Sequence, residues 1–107
     1  MKKLLSECEG FQWDDKNQDK IRIRHKVTKF ECEEIFFNQP LLIGVDSKHS
    51  QNENRYFVLG RSDRNRFLFT VFTIRNNLIR VISARDMNNK EKRKYEERLK
   101  KYSKTGR

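Results

Sequence analysis

Hydrophobic positions change their period near residue 41, from helix-like spacing to alternation. Phe11 and Trp13 alternate with Gln12, which predicts a short strand with one apolar face. Asp14 is placed to N-cap a helix, and Asp15 puts negative charge in its first turn, where the helix dipole favours it. That helix should run to about His25, with Ile21, Arg24 and His25 on one face. Thr28 and Glu31 have capping-box spacing, and Val27 can staple onto Cys32. The second helix then buries Cys32, Ile35 and Phe36 and stops before Pro40. Residues 1–10 read as a loosely ordered lead-in.

Beyond Pro40 the segments are strand-like. LLIGVD is a short apolar run that gives way to a polar loop, Ser47 to Asn54. RYFVLGR sets Arg55, Phe57 and Leu59 against Tyr56 and Val58. RFLFTVFTI is apolar on both faces, which predicts the most buried, central strand. In NLIRVISARD, simple alternation turns Leu78, Arg80 and Ile82 to one side and Ile79, Val81 and Ser83 to the other. Turn residues at Ser62–Asn65 and Arg75–Asn77 make these strands antiparallel hairpin neighbours. Asn88 and Glu91 open a last helix with a narrow stripe of Tyr95, Leu99 and Tyr102. The expected fold is α+β, built of two short N-terminal helices, a mostly antiparallel sheet and a C-terminal helix. We expect one domain over residues 1–107, closed by that basic helix.

Composition narrows the partners. Apolar residues make up 35% and charged residues 37% of the chain, so the core is small and leans on eight Phe. A net charge of +10 favours an acidic partner: nucleic acid, an anionic membrane surface or an acidic protein. No run approaches the ~18 apolar residues needed to span a bilayer. The start MKKLL is broken by Ser6, Glu7 and Glu9 before it can act as a signal peptide, which makes a cytoplasmic protein the expectation. Cys8 and Cys32 form no CxxC and read as free thiols.

Several chemistries lack their residues. His25 and His49 have no ligand-spaced companions, so no metal or other cofactor is expected. The glycines match no phosphate loop, and no nucleophile elbow is present. Arg80, set within an apolar run, and Arg85, at the strand's end, have the planar, permanently charged fork that binds phosphate. Arg80 could equally snorkel past the sheet edge with its head in water.

Three segments in order carry a family resemblance. IRVISARD before KEKRKYEE and after GRSDRNRFLFTVFT resembles the C-terminal half of the BrnT family of bacterial toxins. WDDKNQDKIRIRHKV is similar to that family's N-terminal signature, and DSKHSQNENRYFVLG to its middle, so the resemblance spans roughly Phe11 to Glu97. It implies a RelE-like ribonuclease, the toxin of a type II toxin–antitoxin pair, held inactive by a partner: a DNA-binding, BrnA-like antitoxin in a hetero-oligomer. The sequence departs from many members in placing Lys26 where a glycine often follows the histidine.

A metal-free ribonuclease lets the RNA 2′-hydroxyl attack the adjacent phosphorus, and needs cations at the phosphoryl oxygens and a proton carrier. The candidate catalytic residues are Arg80 and Arg85, Arg61 and Arg66 flanking one hairpin turn, and His25 as acid or base. At His25 the helix dipole favours the protonated form, whereas Arg22, Arg24 and Lys26 oppose it. Arg24, Lys26, Arg55 and His49 are candidate RNA contacts; Glu33, like Arg55, comes from the resemblance. The charge fits two other classes equally well: a non-catalytic nucleic-acid binder, and a basic module that docks an acidic protein.

Overall fold

The computed structural model describes residues 2–49 and 52–105. In chain order its elements are α1 (Lys2–Ser6), β1 (Gly10–Gln12), α2 (Asp15–His25), α3 (Lys29–Ile35), β2 (Leu42–Val45), a 3-10 turn (Ser47–His49), β3 (Tyr56–Arg61), β4 (Phe67–Arg75), β5 (Leu78–Asp86) and α4 (Asn89–Thr105). The fold is α+β, as the hydrophobic pattern predicts. One expectation changes at the N-terminus: in place of a loose lead-in, residues 2–10 carry α1 and the start of β1. The cause is apolar anchoring, since Leu4, Leu5 and Cys8 pack against the core.

The helix signals are realised as local hydrogen bonds. Asp14 accepts from the Lys16 and Asn17 amides, and these bonds hold its carboxyl below the usual carboxylate range. Thr28 and Glu31 close a full capping box, and Asn88 and Glu91 exchange the same pair of bonds at the start of α4. Lys26 ends α2 in the left-handed region, at φ 55° and ψ 39°. That conformation favours glycine, which accounts for the residue type that this position departs from.

The five strands lie in the order β1-β5-β4-β3-β2, antiparallel except for β1, which runs parallel to β5. The doubly apolar β4 takes the central place. Phe72 pairs with Val81 but Val71 with Ser83, so Ile82 is a bulged extra residue in β5. The bulge corrects the simple alternation. Ile79, Val81 and Ala84 form the buried series, and Ser83 turns to the exposed side with Ile82.

α2 and α3 cover one sheet face, burying Ile21, Val27, Cys32 and Ile35 against Val58, Leu68, Phe72 and Val81. Phe36 meets Phe11 and Phe72 edge-on, at 5.5 and 5.2 Å between ring centres. The opposite face is only partly covered. Tyr95 of α4 packs on Phe67 and donates its hydroxyl to the Pro40 carbonyl at 2.8 Å. Burial pushes that phenol up to about 12. The rest of this outer face is open, and it is there that polar and aromatic side chains gather.

Candidate functional site

An open groove of about 500 Å³ runs over the uncovered part of the sheet. Phe57, Phe69, Val71 and Ile82 form its floor, with Ser83 beside them; Asp46, His49 and Arg55 form its rim. Alternation puts Phe57 and Phe69 here, because their neighbours Val58 and Leu68 point into the core. His49 is delivered by the 3-10 turn after β2, three residues beyond Asp46. Its Nδ1 lies 3.1 and 3.2 Å from the two Asp46 carboxylate oxygens. A carboxylate on one ring nitrogen fixes the ring and leaves Nε2 to exchange a proton with something else. A second cavity adjoins the first across His49 and Arg55, and adds Lys48, Asn52 and a Glu53–Arg75 pair. That pair is bidentate, both contacts 2.9 Å, and its hydrogen bond holds the Glu53 carboxyl low.

The sequence candidates do not converge on one point. His49 and Arg55 reach the groove. Arg80 is half-buried on β5 and donates from Nη2 to Asp14 at 3.2 Å. Arg85 lies over the Phe69 ring, 4.2 Å from its centre, with its fork held by Glu91 at 2.9 and 3.0 Å. The same fork lowers the Glu91 pKa. Arg61 donates to the Gln39 carbonyl at 2.9 Å, and Glu33 accepts from the Trp13 indole at 2.8 Å. Arg24, His25 and Lys26 are exposed at the end of α2, by Asp86 at the far end of β5. Arg80 and Asp86 are six residues apart, roughly 20 Å along a strand. His25 and Arg80 therefore belong to different ends of the sheet.

Arg66 is a clamp. It donates to Asp86 at 2.7 and 3.2 Å, to both Glu31 oxygens at 3.2 Å, and to the Lys26 and His25 carbonyls at 2.8 and 3.2 Å. These bonds, that with Asp86 first, raise its own pKa, and they satisfy carbonyls that the end of α2 leaves unpaired. Arg66→Ala should destabilise the fold by about 2 kcal/mol, between the ~0–1 of an exposed pair and the ~3–5 of a broken buried one. For a domain of this size that lowers the melting temperature by roughly 8–16 °C, measurable by circular dichroism. Asp86, with its pKa depressed chiefly by the Arg66 hydrogen bond, stabilises the native state above its unfolded pKa. That contribution is lost as pH falls through the folded value, so the variant should lose part of the acid sensitivity. An unchanged melt would refute the clamp.

Sequence reasoning missed Asp46, the Glu53–Arg75 pair and the role of the outward rings. The Asp46/His49 spacing is a legible i, i+3 signal within DSKH. The Glu53–Arg75 pair is not legible, because it joins a loop to a strand 22 residues away. Cys32 offers no nucleophile: burial, then Glu31 and Glu33, push its thiol up to about 12.

Comparison with known proteins adds two findings. A family model described as a ribonuclease toxin, BrnT, of a type II toxin–antitoxin system matches residues 13–91. Among solved structures, the chain is similar to the Brucella abortus ribonuclease toxin BrnT, at 14% identity and a TM-score of 0.53. The likeness covers 75% of this chain and 97% of that one, and at such identity it shows a shared fold. No curated protein sequence matches the chain.

Proposed function

This chain belongs to the BrnT family of ribonuclease toxins of type II toxin–antitoxin systems, and from that premise we propose that it is a metal-independent endoribonuclease whose active site is the open groove. The observation that carries the reading is the Asp46–His49 pair on the rim beside Arg55. In the reaction the ribose 2′-oxygen bonds to the adjacent phosphorus and the bond from phosphorus to the 5′-oxygen breaks. His49 takes the 2′-hydroxyl proton and a proton is returned to the leaving 5′-oxygen, leaving a 2′,3′-cyclic phosphate. Asp46 positions the imidazole. Arg55 on the rim balances charge on the phosphoryl oxygens, at a site type where lost donors commonly cost ~2.7–4 kcal/mol, and Arg80, outside the groove lining but close enough to act on Glu53 of the adjoining cavity, adds to the positive field. Arg61, Arg66 and Glu33 act through other groups: they hold the turn, the end of α2 and Trp13. Arg24, His25 and Lys26 extend the basic surface along which RNA lies. Among the described residues, no group of three or more His, Cys, Asp and Glu could hold a metal ion; cleavage in EDTA tests the metal independence proposed here.

The family pairs a toxin with an antitoxin and an RNA target. The partner proposed here is a DNA-binding, BrnA-like protein with an acidic segment that covers the groove, in a cytoplasmic hetero-oligomer. Residues 1–107 act as one toxin domain. No described helix is long and apolar enough to cross a membrane.

Expression of the chain alone should arrest growth of a bacterial host and deplete RNA, and co-expression of the neighbouring reading frame should lift the arrest. Arg80→Ala, checked for a cooperative melt, should abolish toxicity. A folded Arg80→Ala chain that remains fully toxic removes Arg80 from the mechanism; a wild-type chain that neither slows growth nor degrades RNA contradicts the toxin reading.

A further inference from the structure

α4 runs well past the region that the family shares. The matched residues end at Glu91, in the helix's first turn, whereas the helix continues to Thr105. Charge is concentrated in that addition. Residues 92–107 hold eight Lys and Arg against Glu96 and Glu97, a net +6 of the chain's +10, so residues 1–91 carry +4.

The helix turns its apolar stripe inward: Tyr95 is fully buried, and Leu99 and Tyr102 are half-buried. The other side is basic and open. Arg93 and Lys100 stand seven residues apart, with Lys90, Lys94 and Lys101 beside them at helical spacing, so the cations share one side over about 16 Å of helix. Arg93, Lys94 and Lys100 are exposed and meet no carboxylate among the described residues, whereas Glu91 turns back to Arg85 of β5.

Position and composition select the partner. Glu91 holds Arg85, and Arg85 lies on the Phe69 ring that floors the groove, so the helix starts beside the groove on the same sheet face. A protein interface buries an apolar or aromatic centre and is depleted in Lys. Here the apolar stripe already packs on the domain, and what stays exposed is Lys and Arg, which suits a phosphate backbone.

We propose that α4 beyond Glu91 is an electrostatic anchor for the phosphate backbone of RNA that extends past the groove, so that this chain favours long RNA over short fragments. This inference rests on the ribonuclease reading, which makes the groove the place where the strand is cut. Each phosphate that a cation neutralises releases condensed counterions, so the anchor acts on any sequence and weakens with salt. A strand of a few nucleotides fills the groove without reaching the helix; a longer one meets both.

The test measures binding of the full chain to 2′-O-methyl RNA, which cannot undergo 2′-oxygen attack, as a tetranucleotide and as a strand several times longer, over a range of salt. Arg93→Gln and Lys100→Gln are combined in one variant, since Gln keeps helix propensity and removes both charges. It should bind the long strand at least ~5-fold more weakly and make the salt slope shallower by about 1.4, at ~0.7 per phosphate contact, while binding the tetranucleotide as the wild type does. Lys20→Gln with Lys29→Gln removes the same charge from the helices of the opposite face, and should leave long-strand binding within about threefold, because salt screens charges more than ~10 Å away. An α4 variant with a native melt that binds the long strand as tightly as wild type, or equal losses from the two variants, overturns the anchor. So does a wild type that binds polyglutamate of matched charge as tightly as the long RNA, which would make the helix a dock for an acidic protein. Cleavage of unmodified RNA is scored separately on the wild type. Cleavage with α4-independent binding sinks the anchor and leaves the ribonuclease reading; α4-dependent binding without cleavage does the reverse.

Discussion

His49→Ala should slow RNA cleavage by ~100–10,000-fold while changing RNA affinity by no more than about threefold, since a positioned proton carrier acts mainly in the transition state. The expectation comes from the order of contacts. Asp46 holds one ring nitrogen at 3.1 Å, the ring stands on the rim of the groove, and Arg55 shares that rim. Asp46→Asn retains a hydrogen-bonding group but not the carboxylate that meets Nδ1 with both oxygens, so its loss should be smaller and confined to kcat. His25→Ala serves as the comparison. His25 is exposed at the end of α2, near Asp86 and away from the Asp46–His49 pair, so its loss should be felt in binding. Single-turnover kinetics against a titrated binding curve separates the two effects. If His25→Ala abolishes the chemical step and His49→Ala leaves it intact, the roles assigned here are reversed.

Replacing one ribose of a short RNA by deoxyribose should abolish cleavage at that linkage and leave neighbouring linkages unaffected. In the proposed mechanism the nucleophile is the ribose 2′-oxygen, and the buried Cys32 thiol, pushed up to about 12, is no rival to it. The protein contributes orientation, a proton path and charge, with oxyanion-type donors worth ~2.7–4 kcal/mol each. The expected loss therefore exceeds that of any single substitution in the protein. Cleavage of the deoxy linkage at the parent rate would show that water or a side chain attacks.

Much of the fold was legible because its signals are local. Asp14, the Thr28/Glu31 box and the Asn88/Glu91 pair act within one helical turn, and the doubly apolar run of β4 marks the strand with neighbours on both sides. The bulge at Ile82 was not legible, because a one-residue slip depends on how β4 and β5 pair and not on the residues alone. β1 was legible as a short strand, but its parallel place at the sheet edge was not, for a similar reason: three residues cannot announce a partner nearly 70 positions away. α1 was missed because its leucines matter through the core they reach.

The site was legible by residue type and less so by assembly. Sequence gathers Arg61, Arg66, Arg80 and Arg85 as a set of cations, with His25 as acid or base, but charge alone does not say which acceptors the arginines meet. Arg66 meets two carboxylates and two carbonyls, and Arg85 meets Glu91 and Phe69. The resemblance supplied the family, and packing determined which side chains face the groove. Phe57 and Phe69 illustrate the difference: as sequence they are core hydrophobics, and only the partial cover given by α4 leaves them on an open face.

Mass spectrometry of the fragments made by the wild-type chain from a defined RNA in EDTA separates attack by the 2′-oxygen from attack by a metal-activated water. Undiminished cleavage is expected, with 2′,3′-cyclic or 3′-phosphate on one fragment and a 5′-hydroxyl on the other. Fragments bearing a 5′-phosphate, or activity lost in EDTA and restored by added metal, would contradict it.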